Sequence, residues 1–194
     1  MKLEEGEKLV RYARRVMENH VNGRDTEEME NFEEKRGVFV TLHTYPDKML
    51  RGCIGIPEPI MPLKKAIKEA AISACHDPRF PPLSREETDS VVIEVTVLTP
   101  PHLLKCKPEE YMKCIEIGKD GLIVERGYYR GLLLPQVPVE YGWDVETFLQ
   151  HTCMKAGLPA DAWKDEKTRL YKFQGEIFAE EEPKGRVMRV ETYG

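Results

Sequence analysis

Apolar residues recur at helical spacing near the start of the chain. Leu9, Val10, Ala13, Val16, Met17 and His20 fall on one stripe, which predicts an amphipathic helix over residues 4–20. Residues 22–36 are polar and acidic around Gly23 and read as a loop or a ragged helix. The period then shortens. Residues 37–43 are β-branched and aromatic, Tyr45-Pro46-Asp47 turns the chain, and residues 48–56 return as a second strand. Pro62 suits the first turn of a helix whose inner face is Leu63, Ala66, Ile67, Ala70, Ala71 and Ala74. The prolines at 78, 81 and 82 forbid its continuation and leave 76–82 as a stiff extended loop. Ser84 and Glu87 have capping-box spacing for a short helical turn.

Residues 91–98 form the clearest strand, an apolar run broken only by Glu94 and Thr96, and Pro100-Pro101 ends it. A short helix is expected at 108–114, and a second hairpin from 122–126 and 130–134 about Gly127-Tyr128-Tyr129. Asp144 is a good N-cap for a helix through Ala156, with Gly157 and Pro159 as its stop. A last strand at 170–178 precedes a charged, loose tail from Glu180 onward. Short hairpins with helices between them predict an α/β protein of the α+β kind: a mostly antiparallel sheet flanked by helices. The regular alternation of a doubly wound parallel sheet is missing.

A chain of 194 residues suits one domain, or a larger domain plus a smaller lobe. A net charge of -5 gives no global attraction to nucleic acid or anionic membrane. No apolar run approaches the ~20 residues of a membrane span, and the charged N-terminus lacks a secretory core, so a cytoplasmic location is expected. The five cysteines, odd in number and widely spaced, read as free thiols. His102, Cys106 and Cys114 fit no zinc spacing, and no phosphate loop, nucleophile elbow or zincin motif occurs. Neither a metal nor a cofactor is expected.

Four constellations carry possible chemistry. In residues 50–55, alternation puts Arg51 and Cys53 on one face of a strand, and Gly52 and Gly55 would leave the backbone open to a ligand. A cation beside a thiol favours the nucleophilic thiolate. The competing reading is a small buried cysteine with Arg51 in a structural ion pair. In 76–80, Arg79 can clamp a carboxylate or phosphate, Asp77 can orient it and His76 can act as a base, or the same side chains simply tie two elements together. Gln136, between prolines at a strand end, would offer its amide at a pocket rim or bond local backbone. His151 and Cys153, two apart on a helix, point to different faces and make no pair there.

The segments Leu-Arg-Gly-Cys-Ile-Gly at 50–55, Asp-Pro-Arg-Phe-Pro-Pro-Leu at 77–83 and Gly-Leu-Leu-Leu-Pro-Gln-Val at 131–137, with Trp143 and 153–158, resemble the AMMECR family. That family takes its name from the Alport-syndrome deletion region holding its human member. The likeness runs over residues 1–180, leaving 181–194 as a charged C-terminal tail. It implies an α/β fold with a larger sheet domain and a smaller lobe, and the hexapeptide near a groove between them. Asp77, Arg79 and Phe80 carry over from the family's motif, whereas His76 precedes it. In some microbes such domains are fused to, or neighbours of, Memo-like and radical-SAM proteins, which implies those as partners in a modification pathway.

Two functional readings follow. One is an enzyme, or enzyme component, that holds a small anionic substrate in a groove, with Cys53 as the catalytic thiol and Arg51, Gly52, Gly55, Asp77, Arg79, Phe80 and Gln136 binding. The other is a non-catalytic module that binds a protein or peptide. Nucleic-acid binding ranks last, since the charge is negative and no aromatic-basic stripe is present.

Overall fold

The computed structural model describes residues 1–191. The chain divides into two compact units, a larger one of residues 1–98 with 176–191 and a smaller one of residues 99–175. Every strand pairing described is antiparallel, so the fold is α+β with a larger and a smaller unit.

The larger unit begins with α1 (Leu3–Val21), whose apolar stripe of Leu9, Val10, Ala13, Val16 and Met17 is fully buried. Strands β1 (Val38–Thr44) and β2 (Leu50–Ile56) form the expected hairpin. Helix α2 (Leu63–Ala74) follows Pro62, and β3 (Val91–Leu98) pairs with the free side of β1. Alternation sends Val38, Val40 and Leu42 of β1 into the core beneath α1 and α2, with Ile93, Val95 and Val97 of β3 beside them. Burying each such side chain contributes about 1.5–3 kcal/mol. The alanine face of α2 lets that helix lie close to the sheet.

In the smaller unit, β4 (His102–Leu103) precedes a short turn of helix that leads into α3 (Tyr111–Cys114). The second hairpin is β5 (Asp120–Arg126) with β6 (Tyr129–Leu133). Helices α4 (Gln136–Tyr141) and α5 (Val145–Lys155) follow. Asp144 caps α5 by accepting the Thr147 N–H at 2.8 Å, as its residue type predicts. Strand β7 (Arg169–Glu180) pairs with β4 and β5 in this unit, over a core of Leu122, Val124, Phe148, Leu149, Trp163 and Leu170. Gly131 is small for a local reason: a Cβ there would lie 2.4 Å from the Ala156 backbone nitrogen at the end of α5.

The last residues of β7 belong to the larger unit. There the structure corrects the expectation of a loose tail. Residues Val187–Val190 form β8, paired with Ile177–Glu180 of β7. Glu180 is buried and takes Arg14 Nε at 2.6 Å and Nη2 at 2.7 Å, and it also accepts the Ile93 N–H at 3.0 Å. Arg14 donates in addition to the carbonyls of Val91 at 2.6 Å and Thr88 at 3.0 Å. The residue expected to begin a loose tail is thus half of a buried ion pair. Of the predicted tail, residues 192–194 lie outside the described residues.

Candidate functional site

Strand β2 presents two faces. Gly52 faces α2: a Cβ on it would sit 2.4 Å from the Ala74 carbonyl oxygen, so a side chain there would push the helix end away. Ile54 and Ile56 pack on the core of the larger unit. Arg51, Cys53 and Gly55 alternate onto the opposite face. Gly55 lies under the Phe39 ring, whose Cδ1 would be 2.3 Å from an added Cβ. The two glycines therefore make room for a helix carbonyl and an aromatic ring. The expectation that they open the backbone to a ligand is corrected on that ground.

Asp77 organises the site. It is buried, and its carboxylate receives four donors: the Cys53 N–H at 2.9 Å, and from Arg79 the backbone N–H at 3.0 Å, Nε at 3.0 Å and Nη2 at 2.7 Å. The Arg79 guanidinium holds this carboxyl well below the usual carboxylate range, helped by the two N–H donors. The loop end at 77–79 is thereby fastened to the middle of β2. Arg79 also reaches the Cys53 carbonyl, Nη2 to O at 3.4 Å, while 57% of its side chain stays exposed.

Arg51 has a different partner from the one its sequence neighbour suggested. Its Nε and Nη2 bind Glu87 at 2.8 and 3.0 Å, and Glu87 Oε2 accepts the Ser84 N–H at 2.8 Å. The capping-box residue predicted for the short turn is thus also the counter-ion of Arg51, and that guanidinium lowers the Glu87 pKa. The Phe80 ring lies near both cations, 6.0 Å from the Arg51 guanidinium carbon and 5.7 Å from that of Arg79.

Cys53 is half-buried, and its sulfur accepts a hydrogen bond from Thr41 Oγ1 at 3.2 Å. Burial pushes the thiol pKa up, against the opposing pull of the Thr41 hydroxyl and of Arg79. The cation that acts on Cys53 is therefore Arg79, in place of Arg51, and desolvation outweighs it. Strand register adds a residue that the sequence reading missed. Thr41 pairs with Cys53 on one side and with Glu94 of β3 on the other. Thiol, hydroxyl and carboxyl thus form a row across three strands on one face, about 5 Å apart from strand to strand. Burial raises the Glu94 pKa. The single signal for it in sequence was an acid interrupting the apolar run of β3.

His76 turns away from this cluster. Its Nε2 lies 2.7 Å from Nε2 of His20, at the end of α1, so the base suggested for it is engaged elsewhere. His151 stacks on Trp143 at 3.9 Å between centroids, and Cys153 is buried in the smaller unit's core. Gln136 also belongs to the smaller unit, where it opens α4 instead of ending a strand, and its Oε1 is buried without a hydrogen-bond partner. Among the described residues no group of three or more His, Cys, Asp or Glu side chains could hold a metal ion. No helix among them is long and apolar enough to cross a membrane.

Fold and cluster together define an antiparallel α+β protein whose polar groups hang on one hairpin strand and one proline-ordered loop. The family model AMMECR1 matches residues 10–178, and the chain belongs to that family. It is similar to Protein MJ0810 of Methanocaldococcus jannaschii, 62% identical over 191 residues that cover 96% of this chain and 95% of the relative. Protein PH0010 of Pyrococcus horikoshii is 56% identical over 198 residues, covering 97% of this chain and 96% of the relative. The crystal structure of PH0010 superposes with a TM-score of 0.80 at 54% identity, covering 98% of both chains.

Proposed function

We propose that the larger unit binds a small anionic molecule, through Arg79, beside the Cys53 thiol, and that the protein acts as an enzyme or enzyme component with Cys53 as its reacting group. One observation carries this reading. Arg79 is fixed by a buried carboxylate, touches the Cys53 carbonyl, and still keeps 57% of its side chain exposed. A guanidinium already held in place loses little conformational freedom when it binds a carboxylate or phosphate. Phe80 supplies a flat apolar wall beside it. Because burial keeps Cys53 largely as thiol, an anion on Arg79 does not have to compete with a full thiolate charge.

Titration calorimetry with inorganic phosphate and with a panel of small carboxylates tests the anion site. Binding that is lost in Arg79→Ala and retained in Arg51→Ala is the expected result. Equal binding by wild type and Arg79→Ala would remove the proposed site. Iodoacetamide labelling of Cys53 across pH tests the thiol separately. Labelling should follow an inflection above that of an ordinary thiol, and complete protection at every pH would remove Cys53 as a reacting group. The alternative, a peptide-binding module, has its own support in exposed Tyr45, Met49 and Leu50 at the turn end of the β1–β2 hairpin.

A further inference from the structure

The smaller unit holds a second pair of sulfurs, separate from Cys53. Cys106 Sγ and Cys114 Sγ lie 3.1 Å apart, and both residues are half-buried free cysteines. Cys106 precedes the helical turn at 108–110 and Cys114 ends α3, so the intervening residues fold back on themselves. Forming a bond of ~2.05 Å from this contact asks each sulfur to move only about half an ångström. Cys106 also lines a cavity of about 280 Å³, together with Lys105, Lys107, Glu166, Thr168 and Arg169. Three basic side chains stand there against one acidic one. The hydroxyl oxygen of Thr168 is buried without a partner.

We infer that Cys106 and Cys114 form a dithiol–disulfide exchange site that reacts with a small anionic disulfide admitted to this cavity. Cys106 gives its proton to solvent and attacks one sulfur of the ligand, whose S–S bond breaks; the departing thiolate takes up a proton. Cys114 then loses its proton and attacks Cys106 Sγ in the mixed disulfide, expelling the second ligand thiolate, which is protonated in turn. The two protein thiols are oxidised by two electrons to one disulfide, and one ligand disulfide is reduced to two thiols. Burial and the neighbouring sulfur push the Cys106 thiol up to about 11, so exchange should quicken as pH rises. Cys75 and Cys153 are sealed in the two cores and held at about 11 by burial, which keeps them out of the exchange.

The test uses the full chain at pH 8 with oxidised glutathione, an anionic disulfide, and with cystamine, a cationic one, followed by non-reducing peptide mapping. Oxidised glutathione should link the Cys106 and Cys114 peptides with loss of two hydrogen atoms in mass, and dithiothreitol should reverse it. In Cys114→Ser the reaction should stop at a glutathione adduct on Cys106, while Cys106→Ser should give no linkage. Replacing Lys105 and Lys107 by glutamate should slow the reaction with oxidised glutathione about tenfold and leave that with cystamine unslowed. Circular dichroism of each variant confirms that it is folded. Two unmodified thiols after exposure at pH 8, or a stable adduct on Cys106 that Cys114 never displaces, would overturn the exchange site. Equal wild-type rates with the two disulfides would overturn the anionic ligand.

Discussion

Replacing Asp77 with asparagine changes one oxygen to an amide of nearly the same shape and removes the charge. Asp77 is 2% exposed, and its carboxylate accepts two N–H donors on each oxygen. Either orientation of the amide therefore turns an NH2 group toward two donors. If it faces the Cys53 N–H and Arg79 Nη2, a backbone donor in the middle of β2 is orphaned, at a cost of about 1–3 kcal/mol. The Arg79 guanidinium turns to water at a cost of roughly 0–1 kcal/mol, because most of that side chain is already solvated. Together these come to about 1–4 kcal/mol, or a melting temperature lowered by roughly 2–16 °C for a chain of this size. The pH dependence has a definite sign. The Asp77 pKa is lower folded than unfolded, so its stabilisation is complete above about pH 4 and is lost as pH falls toward the folded value. Urea unfolding at pH 7 should show the full gap between wild type and Asp77→Asn, and the gap should be about 1 kcal/mol smaller at pH 3. A variant as stable as wild type at pH 7, or a gap identical at both pH values, would refute the assignment of Asp77 as the charged tie between loop and strand.

Other substitutions probe neighbouring claims. Glu180→Ala leaves Arg14 charged and buried, and should cost about 3–5 kcal/mol in urea unfolding, whereas a loose tail would give no change. Gly52→Ala places a methyl 2.4 Å from the Ala74 carbonyl and should destabilise by about 1–3 kcal/mol. Serine at the same position should be no milder, and wild-type stability in both variants would show that β2 and the end of α2 are not in contact. Thr41→Val removes the hydroxyl that donates to Cys53 Sγ, so the thiol pKa should rise further and iodoacetamide labelling at pH 8 should slow several-fold; an unchanged rate would separate Thr41 from the thiol.

Periodicity, prolines and caps were sufficient for most elements of this protein, though not for α4 or β8. The stripe of α1, the two hairpins, the N-cap Asp144 and the proline-stiffened loop after α2 are set by neighbours within a few residues, and local chemistry acts the same way wherever the chain later goes. The family, too, stood in the order of short motifs. What no local pattern held was the identity of partners far apart in sequence. Arg51 sits two residues from Cys53 yet pairs with Glu87, while Arg79, distant in the chain, is the cation that reaches Cys53. Glu94 joins the site only because strand register aligns it with Thr41, and Glu180, expected at the start of a loose tail, is buried because β8 pairs beside it and Arg14 of α1 binds it. Charge and hydrogen bonding act through space over a few ångströms, and only the tertiary fold turns separation along the chain into distance.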